Sequence, residues 1–559
     1  MAIFEQFDDK GVFERLNQLR REAEERDAKR RAETEGIPYI QIKNVSISLE
    51  ALRLVPEEQA RKAGMAVLQS QQKELAVAVV DISRIDTKQI LHNLSKEGYT
   101  MKVFMSSESD LEEYAWKRYI EIKSSPEESL SSVALQEKNV VSIDELSGIF
   151  HAIEKKSANA STTDFISQVF SGAVSLAASD IHLEPKEKNA VLRFRIDGML
   201  YPVYEMEYAT YRLILNRIKL LSTLKINITN QPQDGRFTLK RKTNKDIEIR
   251  TSIIPSEYGE TVVMRVLDPQ TIALHLTDLG FRKEDIVIVE KELRRPNGMI
   301  LVTGPTGSGK TTTLYAFLRH VQRQEIKVIT IEDPIEYHLD GIEQTQVDAK
   351  TGYTFSAGLR SILRQDPDVI LVGEIRDIET AEIGIHAALT GHLVFSTLHT
   401  NNALGAIPRL IDLGTKPSVI GPSLNLIIAQ RLVRQLCPHC KKEYSLSLEQ
   451  KTRIENFLST LSTEITASYK NKDKIYIQGE GCDECRNGYT GRIGVFEIFL
   501  LKKEMHTMIT HEISESDLQG KAREVGMVDI QSDGILKILE GITSIEEVER
   551  VTGPIEWWK

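Results

Sequence analysis

Eight consecutive residues in the middle of the chain have the types and spacing of a phosphate-binding loop. They fit the pattern G-x-x-x-x-G-K-[ST] at every fixed position and are Gly304, Pro305, Thr306, Gly307, Ser308, Gly309, Lys310 and Thr311. Glycines allow backbone N–H groups to surround a β-phosphate, Lys310 would reach the β- and γ-phosphates, and the Thr311 hydroxyl would bind Mg²⁺. An apolar strand is predicted before the loop, and a helix that contains Thr312, the last predicted nucleotide-binding residue, after it. The sequence therefore predicts a site for ATP with Mg²⁺.

Carboxylate and imidazole side chains follow further predicted strands downstream of this loop. Glu332 and Glu374 each come after a short apolar run, and a third run is framed by His392 and His399. Ligands of open α/β sheets lie at the carboxyl ends of the strands, so we expect these side chains near the phosphates. Position 373 is glycine, where most phosphate-loop enzymes carry an aspartate on the Mg²⁺ side.

Four motifs in this order resemble those of secretion-superfamily ATPases, in the branch that serves type II secretion and type IV pilus assembly. They are the phosphate loop, the Asp box at 331–337, the atypical Walker B segment at 363–377 and the His box at 390–401. The resemblance covers about residues 37–555 and implies a RecA-like motor domain. It also implies that Glu332 polarises the attacking water and that Glu374 supports Mg²⁺ through water, although the two roles can be exchanged. His399 is a further catalytic candidate beside the γ-phosphate.

Two pairs of arginines are candidates for neutralising charge on the transferred phosphate. Arg360 and Arg364 are four residues apart, which predicts that they share one helix face. Arg236 and Arg250 precede the phosphate loop, and the resemblance places them at nucleotide-sensing positions in the preceding domain. A solvated surface arginine is the alternative interpretation of each.

The four cysteines of the chain form two C-x-x-C pairs, Cys437/Cys440 and Cys482/Cys485. This pattern favours one structural Zn²⁺ held by four thiolates, with a redox pair or unliganded thiols as alternatives. The 41 residues between the pairs exceed ordinary zinc-ribbon spacing, but the segment around the second pair resembles the tetracysteine module of the same family. We expect the metal to close an irregular insertion with little core of its own.

Composition limits the compartment and the partners. The chain has 559 residues and a formal net charge of −10, which argues against general nucleic-acid binding. No apolar run approaches the length of a membrane span, and the predicted location is the cytoplasm, peripheral to the inner membrane through partners.

The predicted fold class is α/β, a multidomain phosphate-loop NTPase. The expected segments are a polar N-terminal helix (1–36), a small α/β platform-docking domain (37–122), a linker (123–158), a sensor-like, PAS-like domain (159–268), and a RecA-like ATPase domain (277–559) with its zinc module at about 434–492. Near the C-terminus, Thr543 and Glu546 have the spacing of a capping box.

We expect a homo-hexameric ATPase that drives pilin polymerisation at an inner-membrane platform protein, with an N-terminal domain that docks on an adaptor of the membrane complex. A type II secretion motor of the same family is the first alternative, because both machines share every motif named above. A nucleic-acid translocase and a nucleotide-binding scaffold are alternatives from other classes.

Overall fold

The computed structural model describes residues 9–558, except 46, 49–50, 53, 72, 97, 120–131, 135–141, 157–161, 242–244, 270–273, 468, 470–471, 511–514 and 525. The chain divides into two compact units, Met1–Ser132 and Val133–Lys559. Much of the predicted linker, 123–131 and 135–141, lies outside the described residues.

The first unit is a small α/β domain preceded by a long polar helix. Its sheet has the order β1 (Met65–Gln71), β2 (Glu74–Val79), β3 (Thr100–Met105), with β1 antiparallel to β2 and β2 parallel to β3. Its helices are α1 (Asp9–Glu35), α2 (Glu57–Ala63) and α3 (Ile85–Lys96), followed by irregular helical turns over 108–118. Strands β2 and β3 coincide with the two apolar runs that predicted them.

A seven-stranded sheet forms the first domain of the second unit. Its strands are β4 (Ser132–Ala134), β5 (Ala178–Pro185), β6 (Asn189–Ile196), β7 (Met199–Glu207), β8 (Gln233–Lys240), β9 (Ile247–Ser256) and β10 (Gly259–Leu267). Their order is β4-β8-β9-β10-β5-β6-β7. The helices α4 (Ile143–Lys156), α5 (Thr162–Ser175) and α6 (Tyr208–Leu221) contribute to one hydrophobic core with the inward residues of this sheet. Alternate residues of β8, β9 and β10 remain exposed on the other face.

The second half of the predicted linker is wrong, because residues 143–156 form helix α4. Leu146 and Phe150 lie four residues apart on this helix and are fully buried in the core of the seven-stranded domain. Burying each side chain stabilises the domain by about 1.5–3 kcal/mol, which a free linker would forgo. The helix has 14 residues, and its apolar residues from Ile143 to Ile153 recur three or four positions apart, a spacing typical of an amphipathic helix that the linker prediction overlooked.

The domain expected to be the motor, called the motor domain below, is built on a second seven-stranded sheet. Its strands are β11 (Gly298–Thr303), β12 (Val328–Glu332), β13 (Glu343–Gln346), β14 (Val369–Val372), β15 (Leu393–Leu398), β16 (Leu424–Leu436) and β19 (Tyr489–Leu500), in the order β13-β12-β14-β15-β11-β16-β19. All neighbours are parallel except β16 and β19. The covering helices are α7 (Lys283–Leu293), α8 (Lys310–Val321), α9 (Phe355–Ile362), α10 (Ile378–Leu389), α11 (Ala406–Asp412) and α12 (Pro417–Ser423). Strands β11, β14 and β15 are buried along their whole length, as expected for a sheet covered on both faces.

The segment between the cysteine pairs is regular, contrary to expectation. It contains a two-stranded sheet of β17 (Lys442–Ser445) and β18 (Lys474–Ile477), and the helices α13 (Leu448–Ser459) and α14 (Thr463–Thr466). Its buried residues Ile454, Phe457 and Ile475 belong to the hydrophobic core of the motor domain. The insertion therefore packs into the hydrophobic core of the motor domain.

Among the described residues after β19 there are four helices: α15 (Lys503–Thr510), α16 (Glu515–Glu524), α17 (Ile530–Leu539) and α18 (Ile545–Thr552). The predicted capping box is wrong by one residue. Ser544 caps α18 by accepting from the Glu547 N–H at 3.4 Å, whereas the Thr543 hydroxyl donates to the Arg434 carbonyl at 2.8 Å.

Candidate functional site

The phosphate loop lies between β11 and α8, as its sequence pattern predicts. Gly304, Gly307 and Gly309 have φ of 148°, 79° and 88°, a region that favours glycine. A Cβ at Gly304 would lie 2.5 Å from the Gln430 carbonyl oxygen, and one at Gly309 would lie 2.8 Å from the Gln430 side-chain nitrogen. The loop therefore needs glycine both for its backbone conformation and for its close approach to β16.

The polar side chains of the loop face in different directions. Lys310 folds back so that its Nζ donates to the carbonyls of Gly304 at 2.8 Å and Pro305 at 3.1 Å. The pKa of Lys310 is lowered, because burial lowers it by more than the charge of Glu374 raises it. Thr311 is exposed, and the buried Ser308 hydroxyl has no hydrogen-bond partner among the described residues. A phosphate tail would supply an acceptor for both Lys310 and Ser308, so the loop fits that ligand.

Glu332 is the last residue of β12 and is only 4% exposed. One carboxylate oxygen accepts from the Tyr315 hydroxyl at 2.5 Å, and the other accepts from Thr330 at 2.6 Å and Gln344 at 3.1 Å. Burial, followed by the neighbouring Glu332 charge, raises the pKa of Tyr315, so its hydroxyl stays a proton donor. Both oxygens of the carboxylate that we expected to polarise water therefore already accept hydrogen bonds from protein side chains.

Glu374 follows β14 and lies in a different environment. One of its oxygens pairs with Arg376, and the other lies 3.6 Å from the His399 Nε2 atom. The charge of Glu374 also raises the pKa of Lys310, so this carboxylate acts electrostatically on the phosphate loop. The structure therefore brings Glu374 and His399 together, with Lys310 within range of the Glu374 charge, whereas the His392 Nδ1 atom lies 3.1 Å from the Ala387 carbonyl oxygen.

Glycine at position 373 has a local structural reason. Its N–H donates to the Ile331 carbonyl at 2.8 Å, which draws β14 against the end of β12. A Cβ at this position would lie 3.3 Å from that carbonyl oxygen and 3.4 Å from the Glu332 Cα. The close approach of the two strand ends leaves little space for the usual aspartate.

Arg236 and Arg250 are direct neighbours on the exposed face of the first domain of the second unit. They pair across β8 and β9, and Arg265 on β10 lies opposite Arg250 on the other side. Carboxylates offset part of this repulsion, since Arg250 lies 3.5 Å from Glu248 and Arg265 lies 3.3 Å from Asp180. Arg236 has no ion pair among the described residues and is the member of the row left for an anionic ligand. Arg265 was missed by sequence reasoning, although the alternation of β10 marks it as outward-facing.

Arg250 also contacts the motor domain. Its Nη1 lies 3.2 Å from a Glu336 carboxylate oxygen, and its Nη2 donates to the Ile335 carbonyl, both in the loop after β12. Sequence reasoning did not single out Glu336, because nothing in the Asp box distinguishes it from its neighbours. The second arginine pair is exposed: Arg360 contacts Glu379 at 2.8 Å, and Arg364 donates to the Arg360 carbonyl at 2.9 Å. A role for Arg360 and Arg364 in nucleotide binding stays a prediction.

The four cysteines converge into one cluster. The sulfur atoms of Cys437, Cys440, Cys482 and Cys485 all lie within 4.8 Å of one another, and the thiols are free. The separations are 3.7 Å for Cys437–Cys482, 3.5 Å for Cys440–Cys485 and 3.6 Å for Cys482–Cys485. A tetrahedral Zn²⁺ with Zn–S bonds of about 2.3 Å requires sulfur atoms about 3.8 Å apart. The donor set therefore fits zinc.

The knuckle that follows Cys485 contacts the preceding domain. The Arg486 guanidinium donates to the Leu176 carbonyl at 3.2 Å, and the Gly491 N–H donates to the Asp197 carboxylate at 3.1 Å. Asp197 and Gly198 form the tight turn between β6 and β7, with φ of 49° and 84°. The cysteine module thus bridges the sheet that carries the phosphate loop and the domain that contains β4 to β10.

Comparison with known proteins decides the family. The model of the family described as "Type II/IV secretion system protein" matches residues 155–550. The chain belongs to this family. The MshEN domain model matches residues 35–121, which lie in the first unit. The family resemblance expected from the motifs is therefore confirmed.

Relatives of this secretion family include named ATPases. The chain is 37% identical to the type IV pilus assembly ATPase PilB of Myxococcus xanthus over 524 residues, covering 93% of this chain and 89% of the relative. It is 47% identical to the type II secretion system protein E of Pseudomonas aeruginosa over 388 residues, covering 69% and 74%. The X-ray structure of the Legionella pneumophila ATPase DotB aligns with a TM-score of 0.51 at 20% identity, over 69% of this chain and 95% of DotB, and shows the fold alone.

The chain is thus an ATPase of the secretion family with a mixed α/β fold. Among the helices that the structure describes, none is long and apolar enough to cross a membrane. Membership of this family favours a motor over the nucleic-acid translocase and over the non-enzymatic scaffold.

Proposed function

We propose that the chain is the ATP-hydrolysing motor of type IV pilus assembly, acting as a homo-hexamer on an inner-membrane platform protein from the cytoplasmic side. The observation that carries this proposal is the 37% identity to a pilus assembly ATPase across 93% of the chain, which includes the first unit. A type II secretion motor is the second candidate, supported by the 47% identity to a type II secretion protein E over 69% of the chain.

Nucleotide binding is assigned to residues 304–312 of the phosphate loop. Lys310 would exchange its two loop carbonyls for β- and γ-phosphate oxygens, and Thr311 would hold Mg²⁺. The magnesium ion would neutralise charge on the phosphate tail. The exposed position of Thr311 and the unpartnered Ser308 hydroxyl support this assignment.

The exchanged carboxylate assignment is favoured over the one first expected. Glu374, beside His399 and Lys310, is proposed to orient the attacking water, while Glu332 holds the end of β12 through Tyr315 and its other donors. Phosphoryl transfer depends on positioning and charge neutralisation, so a carboxylate already engaged by three donors is poorly suited to bind water.

Arg236 and Arg250 are proposed to couple the nucleotide to domain movement. Their side-by-side position on the sensor-like sheet supports a shared anionic ligand, and loss of the γ-phosphate would remove it. The tetracysteine cluster is proposed to hold a structural Zn²⁺, which its sulfur separations support.

Steady-state ATPase activity and native mass, measured with and without ATP and Mg²⁺, test the proposal. We expect hydrolysis by a hexamer-sized assembly, and loss of nucleotide binding in Lys310→Ala. Lys350→Ala, an exposed lysine in the same domain, is the matched control and should resemble the wild type. A monomer under all conditions, or a Lys310→Ala protein that hydrolyses ATP normally, would contradict the assignment.

A further inference from the structure

Arg431 lies beside the phosphate loop on a strand that the nucleotide site does not yet include. Strand β16 runs parallel to β11, with Thr303 opposite Ala429, so the next residues of β16 flank the start of the loop. A Cβ placed on Gly304 would lie 3.2 Å from the Arg431 Nη1 atom. The guanidinium group is therefore in contact distance of the first glycine of the loop.

This guanidinium has no ion-pair partner in the described part of the chain. Its Nη1 donates to the Gln430 carbonyl at 3.1 Å and its Nη2 to the Asn401 carbonyl at 2.9 Å. Burial lowers its pKa, while the charge of Glu497 raises it without reaching ion-pair distance. A half-buried cation whose only partners are neutral carbonyls carries an electrostatic cost that an anion would offset.

Two cations converge on the same glycine. Lys310 donates to the Gly304 carbonyl at 2.8 Å, and the positive charge of Arg431 contributes to lowering the pKa of Lys310. Two like charges repel each other, and neither cation has a carboxylate within ion-pair distance in the described part of the chain, although Glu374 and Glu497 act on them from further away. This arrangement favours an anionic ligand. Of the five N–H hydrogens of the guanidinium group, two are used by the carbonyls, which leaves three for phosphate oxygens.

We propose that Arg431 is a phosphate-binding residue of the nucleotide site, reaching the phosphate tail from the β16 side while Lys310 reaches it from the loop. The proposal rests on the proposed phosphate loop function and adds a second cation from the same chain, distinct from the arginines of the preceding domain. A purely structural role, in which Arg431 ties the segment at Asn401 to β16, is the alternative.

The test is ADP binding to the full chain, measured by calorimetry and by the ADP-induced rise in the thermal midpoint, for Arg431→Gln and Arg431→Lys. Charge-assisted hydrogen bonds of this kind change affinity by about tenfold to hundredfold. We expect Arg431→Gln to lose that factor without a lower ligand-free midpoint, and Arg431→Lys to recover part of it because the charge is retained.

Arg323→Gln is the matched control, because Arg323 is an exposed arginine of the motor domain. Wild-type ADP affinity in Arg431→Gln overturns the proposal. A lowered ligand-free midpoint with affinity not restored by Arg431→Lys also overturns it, in favour of the structural role. Lys310→Ala, measured in parallel, separates the role of Arg431 from the function of the phosphate loop. If Lys310→Ala loses ADP binding while Arg431→Gln binds normally, only the role of Arg431 is refuted.

Discussion

Replacing Glu332 and Glu374 separately by glutamine should produce two different defects. Glu332 is 4% exposed and accepts three side-chain hydrogen bonds. In Glu332→Gln an amide NH₂ replaces one carboxylate oxygen and faces a donor, either the Tyr315 hydroxyl or the Gln344 amide. At least one charge-assisted bond is lost, so the motor domain should be destabilised by about 1.5–3 kcal/mol. At about 2–4 °C per kcal/mol, that change should lower its thermal midpoint by roughly 3–12 °C.

Glu374→Gln should instead leave the thermal midpoint close to that of the wild type. Its carboxylate contacts Arg376 and His399 near the surface, so few buried groups lose a partner. Removing a group that orients the attacking water should lower kcat by about a hundredfold or more, with nucleotide affinity retained.

Both variants are to be compared by calorimetric unfolding, nucleotide affinity and steady-state hydrolysis. Glu343→Gln is the control for the amide substitution, because Glu343 lies exposed on the neighbouring strand β13. A Glu332→Gln protein that unfolds like the wild type but does not hydrolyse ATP would refute the reasoning and restore Glu332 as the residue that polarises water. Full hydrolysis by Glu374→Gln would refute it as well.

Two further predictions concern stability and the metal. Burial raises the pKa of Glu547, but hydrogen bonds from Arg550 and Arg434 outweigh it and lower the pKa from 4.5 to about 2. A carboxyl group whose pKa is lowered on folding stabilises the fold above pH 4.5, and this stabilisation is lost as the pH falls toward 2. In denaturant titrations, Glu547→Gln should therefore lower the free energy of unfolding by at most about 3 kcal/mol at pH 7 and by much less at pH 3. The control Glu546→Gln, at an exposed residue, should change the free energy of unfolding at neither pH. Metal analysis should find about one zinc per chain, and chelation should increase hydrogen exchange over residues 437–492, whereas less than about half an equivalent in unchelated protein would contradict the zinc site.

The sequence predicts the elements around the phosphates well because their signals are local. The strand before Gly304, the helix after it and the cysteine pairs are each specified by residues close together in the chain. The hydrogen bonding of Glu332 cannot be predicted from its sequence neighbours, since its donors Tyr315 and Gln344 lie on α8 and β13.

Helix α4 and Arg431 were missed for different reasons. The apolar spacing of α4 is visible in the sequence, but most strands of the sheet on which it packs start only at Ala178, so the segment was taken for a linker. Arg431 stands in an apolar strand with no motif of its own, and only the parallel pairing of β16 with β11 brings it to Gly304. Residue spacing along the sequence does not predict which distant strands pair with each other.

The bridge made by the knuckle after Cys485 has a consequence for how this protein can be shortened or varied. Its contacts with Leu176 and Asp197 join segments about 300 residues apart in sequence. Because the contacting backbone is held by the cysteine cluster, excising the module would remove a tether between two domains as well as a metal site. In a chain without the module, another contact at the β6–β7 turn would be needed to restrict the relative movement of the two domains to the same extent.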